Sequence, residues 1–382
     1  MSAPHQLDQR ARREFRQAFG YPPGAVAVAP GRINIVGEHT DYNEGFVLPA
    51  AIDRHVAVAL RLRRDDRIVM HSDRYDAPVD LPRLPSVREG TWADYILGVA
   101  IQVGQRIGSG SGLDVMVASD LPVGSGLSSS GALEVAAAVA LLAARGAELA
   151  LLDIALLCQA AENEFVGART GIMDQVTALR ARAGNAMQLD CRSFEAEFVP
   201  LPDGRYSWLL ADTRVHHELA GSAYNERRAE CEAAARALGL SSLRDAAEND
   251  LDRIENPVNR RRARHVLTEN ARVLQAADVL RRRAVRGLGP ILYGSHESLR
   301  LDFAVSCREL DSLVELAASM PAVIGARMMG GGFGGCVIAL LESAGVDDVE
   351  QQLAEGYAEE FGRAPEFYRV RTVDGVMSER TT

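Results

Sequence analysis

The segment LPVGSGLSSSGA, residues 121–132, precedes an alanine-rich stretch and decides how the first half of the chain folds. That stretch predicts a helix from about Ser129 to Arg145, and the glycines before it let the backbone approach an anion closely. The start of such a helix offers free N–H groups and the positive end of its dipole, and the serine hydroxyls could reach phosphate or magnesium. The alternative is that the serines only cap the helix. Because a cap needs one such residue and three follow two glycines here, we favour a phosphate-binding loop.

The basic residues narrow the ways in which this loop could hold phosphate. The 382-residue chain contains 42 Lys and Arg side chains, and all of them are arginine. A P-loop lysine, a Schiff-base lysine and the lysine of a protein-kinase ATP site are therefore excluded. Phosphate must be held by backbone amides, arginine, hydroxyls or metal. The formal net charge of −10 argues against a nucleic-acid partner, which would need clustered positive charge.

The length and the pattern of the chain predict two domains. Of its residues 47% are apolar, and helix and strand patterns alternate through both halves. The sequence Pro202-Asp203-Gly204 is a strong turn signal. We therefore expect two α+β domains, residues 1–200 and residues 201–382, with a cleft between them.

Periodicity gives a coarse set of elements. Helices are predicted over residues 8–19, 94–106, 129–145, 150–166, 221–238, 256–287 and 305–318. Strands are predicted around a turn at residues 30–31, as a pair over 55–62 and 67–70, and at 113–118, 186–189, 198–201, 208–212 and 336–341.

Two further observations concern the location of the protein. The five cysteines are scattered without metal or redox spacing, which indicates reduced thiols. The N-terminal residues lack an apolar signal core, and the longest apolar run, residues 135–144, is too short to cross a bilayer. We expect a cytoplasmic protein with no membrane partner.

A second motif, GRINIVGEHTDY, covers residues 31–42. Glu38, His39 and Asp41 form a dense group of side chains that accept hydrogen bonds. Sugar hydroxyls are paired donors and acceptors, and carboxylates in a fixed array bind them well. Two alternatives remain, namely an exposed polar turn or a metal site built from His39 and the two acids.

A third motif, GGGFGG at residues 330–335, matches a dinucleotide-binding glycine pattern by its spacing. The dinucleotide-binding turn follows a strand and opens a helix, whereas residues 336–341 read as a strand. We therefore interpret the motif as a loop where the backbone passes close to a ligand or to the other domain. A tight turn without a ligand remains possible.

A fourth motif, GIMDQ at residues 171–175, places Asp174 among apolar neighbours. Such a carboxylate could lie in a cleft and take part in catalysis. The alternative is a helix cap or a solvated side chain.

Together these segments resemble the GHMP family of small-molecule kinases, and within it the galactokinase branch. Residues 31–42 resemble the galactokinase signature, and residues 121–134 resemble the ATP loop of the family. Further segments with the same resemblance, in the same order, lie at residues 161–163, 171–175, 189–193, 262–270 and 328–336. The resemblance implies an N-terminal ribosomal protein S5 domain 2-like domain and a C-terminal ferredoxin-like domain, with the active site in the cleft between them.

The resemblance also implies a reaction. The enzyme would transfer the γ-phosphoryl group of ATP to the anomeric hydroxyl of α-D-galactose, giving α-D-galactose 1-phosphate and ADP, the first committed step of galactose catabolism. Its partners would be galactose and ATP, with Mg²⁺ as cofactor, and we expect a monomer. The ATP loop of the family has no lysine of the P-loop type, so a chain without lysine could be such a kinase.

Residue roles follow from the same resemblance. Asp174 would be the general base, and Arg32 beside it would keep it ionised and stabilise charge on the transferring phosphoryl group. Mg²⁺ would be held by Ser130 and Glu162. The sugar would be bound by Glu38, His39, Thr40, Asp41, Gly171 and Tyr224. The ATP phosphates would be bound by Gly124, Ser125, Gly126, Leu127, Ser128, Ser129 and Ser130.

Two departures from the family pattern concern the nucleotide. Gly131-Ala132 stands where the family usually has alanine and then serine, and Met329 stands where threonine is usual. Neither position has a proposed catalytic role, but the affinity for nucleotide could differ.

Three other functions share parts of this sequence pattern. The substrate could be another sugar, such as N-acetylgalactosamine or arabinose. A galactokinase-like sensor of sugar and ATP is disfavoured, because such relatives lose two residues next to the serine run, which Gly131-Ala132 fills here. A dinucleotide oxidoreductase is disfavoured by the strand that follows Gly335.

Overall fold

The computed structural model describes residues 3–108, 110–122, 124–215 and 220–380. Within these ranges the strands are β1 (Ala25–Asn34), β2 (Phe46–Val47), β3 (Pro49–Leu62), β4 (Ile68–Ser72), β5 (Tyr75–Leu81), β6 (Leu113–Ser119), β7 (Asn185–Asp190), β8 (Ala196–Pro200), β9 (Tyr206–Asp212), β10 (Val323–Met328), β11 (Cys336–Glu342), β12 (Glu366–Val370) and β13 (Met377–Arg380). The α-helices are α1 (Ala3–Phe19), α2 (Asp94–Ile107), α3 (Ser129–Arg145), α4 (Leu151–Ala160), α5 (Met173–Arg180), α6 (Ala220–Leu238), α7 (Pro257–Arg281), α8 (Leu288–Ser298), α9 (Arg308–Ala318) and α10 (Val346–Phe361).

The first sheet has six strands in the order β13-β1-β3-β6-β4-β5. Because side chains alternate along a strand, β1 divides its residues between two layers. Val26 and Val28 pack with Phe15 of α1 on one face, whereas Ala27 and Ala29 join the main core on the other. The helix α3 covers that second face and packs on β1 and β3. The serine loop is thereby held at the end of the sheet where α3 begins.

The second sheet has the order β10-β11-β9-β12, and a small third sheet has the order β2-β7-β8. The side chains of the central strand β9 also alternate between two hydrophobic cores. Trp208 and Leu210 belong to the main core, and Leu209 and Ala211 belong to a separate core that includes residues of α6, α9 and α10. The second sheet therefore packs both against the first half of the chain and against its own helices.

Most of the predicted elements are confirmed. The helix predicted from Ser129 to Arg145 is α3 with the same bounds, and the helix predicted over residues 94–106 is α2. The glycine motif at residues 330–335 joins β10 to β11, with the predicted strand following it. The turn predicted at residues 30–31 is a β-bulge within β1, between Pro30 and Arg32.

Two predictions about local structure were wrong. The strands at 55–62 and 67–70 do not pair, because β6 lies between β3 and β4. The connecting loop lies next to the start of β6, where the backbone N–H of Arg63 donates to the Gly112 carbonyl at 2.9 Å. The helix predicted over residues 150–166 ends as an α-helix at Ala160 and continues as a wider turn with π-type hydrogen bonding over Ala161–Val166, which contains Glu162.

The sequence patterns did not reveal β2, β5, β10, β12 and β13. The interior of β10 carries Gly325 and the fully buried Arg327, which hide its strand pattern. The last strand, β13, pairs with β1 through Val28 and Met377. The polypeptide thus returns to the first sheet after building the second, and the division at residue 200 stays a prediction. Among the helices of the described residues, none is long and apolar enough to span a membrane.

We predict that Gly37→Ala will lower the free energy of unfolding by about 3 kcal/mol. Gly37 has φ +106°, and a Cβ there would lie 2.8 Å from both the Phe46 carbonyl and a methyl of Val273. The matched control is Gly20→Ala, which has φ +81° but no atom within 4 Å, so only the strain of about 1 kcal/mol remains. Urea unfolding would measure both, and equal losses would contradict the role of close packing at Gly37.

Candidate active site

The serine loop at residues 124–130 leads directly into the first turn of α3. Ser128, at the N-cap, has φ +63°, and its side chain makes no capping hydrogen bond. The first N–H groups of α3 are therefore not satisfied by that hydroxyl, which disfavours the interpretation of the serines as simple caps. Ser125 donates to the Pro122 carbonyl at 3.0 Å, and Leu127 accepts from the backbone N–H of Arg32 at 3.0 Å. These bonds fix the loop while its helix end stays available for an anion.

Arg32 and Asp174 form a bidentate ion pair at this loop. Nε and Nη2 of Arg32 donate to the two carboxylate oxygens of Asp174 at 2.8 and 3.1 Å, and Nη1 donates to the Gly126 carbonyl. Burial opposes the charge of Arg32, but the nearby carboxylates, Asp174 foremost, raise the pKa of the guanidinium above its usual value. The structure thus brings the two predicted catalytic residues together at the edge of the serine loop.

Two more carboxylates lie next to this pair. Glu162 and Glu134 are both buried, and the amide nitrogen of Gln175 donates to both, at 3.0 and 2.9 Å. Burial, together with the charge of Asp174, raises the pKa of Glu162 to about 7, although hydrogen bonds from Thr170, Gln175 and Ser130 oppose the shift. Burial and the charge of Glu162 also raise the pKa of Glu134 well above its usual range. Negative charge is therefore crowded here.

The crowded carboxylates fit a divalent cation. Ser130 is close enough to Glu162 to lower the pKa of that carboxyl, so the two predicted metal ligands lie near each other. One buried oxygen of Glu134 has no hydrogen-bond partner among the described residues. Those residues contain no group of three or more His, Cys, Asp or Glu that could hold a metal by itself. Mg²⁺ does not require one, since it is usually bound by one or two carboxylates together with substrate phosphates.

The second motif brings Glu38 to the other side of the cleft. Its Oε1 accepts from Arg327 Nη2 and from the backbone N–H of Gly330, both at 2.9 Å. Its Oε2 accepts no hydrogen bond from a described residue, so this oxygen is left for a ligand. Arg327 was not identified from the sequence. The sequence offers one signal, an arginine three positions before the glycine motif.

Asp41 lies against Gly171, as the resemblance implied. A Cβ at position 171 would come within 2.0 Å of the Asp41 carboxylate, so only glycine fits there. The carboxylate accepts from the backbone N–H of Tyr42 at 3.0 Å. Burial and the charge of Asp174 raise the pKa of Asp41 to about 6. Asp41 therefore lies close enough to Asp174 for the two carboxylate charges to interact.

The remaining predicted sugar ligands are His39, Thr40 and Tyr224. Tyr224 of α6 packs against His39, with ring centroids 5.1 Å apart. The hydroxyl of Thr40 is directed to the carbonyls of Gly37 and Phe46, at 2.9 and 2.7 Å, which shapes the loop. The ring nitrogens of His39 contact the Tyr42 hydroxyl and the Gly331 carbonyl. Contact of these side chains with a sugar stays a prediction.

A cavity of about 590 Å³ adjoins the serine loop, and the sequence patterns did not reveal it. Its lining includes Ser129 and Ser130 and the parallel rings of Tyr75 and Trp92, whose centroids are 5.7 Å apart. The buried carboxylate of Asp94 accepts three backbone N–H groups of residues 89–91, at 2.7 to 3.0 Å. That contact fixes the loop that carries Trp92 at the cavity wall.

The two departures from the family pattern have structural consequences. A Cβ at Gly131 would lie 2.8 Å from Cβ of Asp174 and 2.8 Å from Oγ of Ser128. The glycine therefore allows α5 and the serine loop to approach closely. The sulfur of Met329, a buried residue, accepts from the backbone N–H of Asn34 at 3.3 Å.

Family models match three parts of the chain. The galactokinase galactose-binding signature matches residues 13–62, the GHMP kinases N terminal domain matches residues 94–182, and the GHMP kinases C terminal model matches residues 276–359. The first of these contains Arg32, Glu38 and Asp41. The second contains the serine loop, Glu162 and Asp174.

Comparisons over the whole chain indicate the same family as the family models. The galactokinases of Thermotoga petrophila and Chloroflexus aggregans are 42% and 44% identical to this chain over 91% of its length, and the matches cover 98% and 92% of those proteins. The crystal structure of Lactococcus lactis galactokinase complexed with galactose has a TM-score of 0.91 at 31% identity, over 96% of this chain and 98% of that one. The mevalonate kinase of Methanococcus jannaschii, at 16% identity and a TM-score of 0.65, shares the fold. The chain has the two-domain GHMP kinase fold and belongs to the galactokinase family.

Proposed function

We propose that this galactokinase transfers the γ-phosphoryl group of ATP to the anomeric hydroxyl of α-D-galactose at the Arg32–Asp174 pair. The observation that carries the proposal is the position of this pair. Arg32 contacts the serine loop through the Gly126 carbonyl, and Asp174 lies near Asp41 and Gly171 on the sugar side. A group held here would be adjacent to both substrates, and phosphoryl transfer depends mainly on such positioning.

The sugar would be held by the oxygens that the protein leaves available. Arg327 and Gly330 occupy one oxygen of Glu38, which leaves Oε2 for a sugar hydroxyl. Asp41 would accept further hydroxyls, and the absence of a side chain at Gly171 leaves the space that the Asp41 carboxylate itself occupies. The ring of Tyr224 would pack on an apolar face of the sugar, because sugar rings carry C–H groups between their hydroxyls.

Asp174 would accept the proton of the anomeric hydroxyl. The bidentate contact with Arg32 orients the carboxylate and favours its ionised form. The guanidinium would also stabilise the negative charge that develops on the transferring group. Because the chain has no lysine, positive charge near the phosphates would come from arginine, with Arg32 at the serine loop, and from the backbone amides at the start of α3.

The ATP phosphates would lie on the serine loop, with Mg²⁺ held by Ser130 and Glu162. When bound, the ion neutralises charge on the phosphates. Glu162 would then be ionised, since a cation favours the charged form of a carboxylate whose pKa burial has raised. The adenine would occupy the neighbouring cavity and stack on Trp92. The cytoplasmic location and the monomeric state stay predictions.

The direct test is ADP release measured over a panel of free hexoses, pentoses and amino sugars with ATP and Mg²⁺. We expect galactose to give the highest kcat/KM, with sugar 1-phosphate as product. A higher kcat/KM for N-acetylgalactosamine or arabinose would reassign the substrate. No activity on any sugar, by protein whose circular dichroism shows intact folding, would contradict the enzymatic function.

Asp174→Asn should lower kcat at least about 100-fold, because an amide cannot accept the proton. Steady-state kinetics would measure this, and the galactose Kd from calorimetry should change only a few-fold. Activity retained within a few-fold would show that Asp174 is not the base.

The comparison with Arg32→Met separates proton removal from charge stabilisation. If charge stabilisation dominates, Arg32→Met should lower kcat more than Asp174→Asn does, with the galactose Kd little changed. Equal or smaller loss from Arg32→Met would favour proton removal as the larger effect.

Trp92→Leu should raise the KM for ATP about tenfold, because base stacking on an aromatic ring is lost. The KM for galactose in the same variant serves as the control and should stay within twofold. An unchanged KM for ATP would place the adenine elsewhere.

A further inference from the structure

The two oxygens of the Glu162 carboxylate have different surroundings. Oε2 accepts from the Thr170 hydroxyl at 2.5 Å and from the amide nitrogen of Gln175 at 3.0 Å, and neither of these bonds reaches Oε1. A carboxylate oxygen offers about two lone-pair directions to donors or metal ions, so Thr170 and Gln175 occupy those of Oε2. Oε1 is therefore the oxygen that Glu162 can offer to an ion near Ser130.

The side chain of Gln175 is fixed by a second carboxylate. Gln175 is fully buried, and its amide nitrogen also donates to Oε2 of Glu134, a fully buried residue of α3, at 2.9 Å. Because an amide nitrogen carries a pair of hydrogens, each carboxylate can receive one of them. The amide oxygen of Gln175 has no hydrogen-bond partner among the residues that the structure describes. The contacts with the two carboxylates therefore orient this amide and keep one N–H directed at Glu162.

Thr170 is fixed through its backbone rather than through its hydroxyl. The Thr170 carbonyl accepts from the side-chain amide of Gln159 at 3.4 Å. The carbonyl of the preceding residue, Arg169, accepts from Arg228 of α6 at 2.8 Å. None of these contacts uses the Thr170 hydroxyl, so a variant that lacks only the hydroxyl should keep the loop in place and lose the bond to Glu162.

We propose that Thr170 and Gln175 are positioning residues that limit Glu162 to one available oxygen, so that the metal site selects Mg²⁺ over Ca²⁺. Mg²⁺ requires a compact octahedral shell, which a carboxylate enters through one oxygen. Ca²⁺ takes about six to eight oxygens in a looser shell and often binds both oxygens of a carboxylate. With Oε2 occupied, Ca²⁺ loses that second contact. The inference rests on the proposed function, since it takes Glu162 as a metal ligand.

The test compares Thr170→Val with a matched control, Thr177→Val. Both changes replace a hydroxyl by a methyl group, and the Thr177 hydroxyl, on α5, donates to the Met173 carbonyl at 2.6 Å. Electron paramagnetic resonance would follow Mn²⁺ bound to each protein together with a non-hydrolysable ATP analogue. Displacement of Mn²⁺ by Mg²⁺ and by Ca²⁺ gives the preference for Mg²⁺. Because the analogue is the same in every sample, a change in this preference comes from the protein.

In Thr170→Val the preference for Mg²⁺ should fall at least about threefold, because Oε2 becomes available to Ca²⁺ and the carboxylate is less well oriented for Mg²⁺. Gln175→Met keeps the length of the side chain without its donors and should lower the preference by a similar factor. Thr170→Ser retains the hydroxyl, and Thr177→Val leaves both donors to Glu162 in place. These two variants should keep the preference of the unaltered protein within about twofold.

An unchanged preference in Thr170→Val would contradict the inference. Equal weakening of both ions would also contradict it, since a general disturbance of the loop would not discriminate between them. Thr170 is only half-buried, so its variants decide the matter even if Gln175→Met does not fold. If the unaltered protein binds no Mn²⁺ beyond that bound by the analogue alone, the proposed metal site itself fails, and the inference fails with it.

Discussion

The guanidinium of Arg327 is fully buried where the second sheet meets the end of β1, and the arrangement of the cleft depends on it. It donates to the carbonyls of Asn34, Ile35 and Met328 and to the carboxylate of Glu38. A buried charge is costly unless it is paired and its hydrogen bonds are satisfied. All four acceptors must therefore stay in place, which ties the second motif, residues 31–42, to β10, the strand that leads into the glycine motif.

Charge compensation also matters for the carboxylates beside the serine loop. Asp174, Glu162 and Glu134 lie close together, and burial raises the pKa of the two glutamates. Arg32 compensates only Asp174 directly. The remaining negative charge is poorly compensated by the protein alone, which is the physical reason why a cation and the dipole of α3 suit this site.

Several features of the site could be predicted from the sequence because they are local. The serine loop opens α3 at the predicted residue, and the strand after Gly335 correctly excluded a dinucleotide-binding turn. Arg327 and Trp92 escaped prediction, since their roles depend on partners far along the chain. Arg327 reaches Glu38 across 289 positions, and Trp92 lines the cavity beside the serine loop only because the fold places its loop there.

The sequence by itself determined the family, the absence of a lysine-based phosphate site, and the residues available for catalysis, because short motifs carry that chemistry in the backbone and side chains of neighbouring residues. Only the tertiary structure decided which atoms of those residues are free. In the folded protein, hydrogen bonds engage one oxygen of Glu38 and both ring nitrogens of His39. Arg32 forms an ion pair with Asp174. Hydrogen-bond partners of buried groups come from distant segments, so the pattern within any one motif does not specify them.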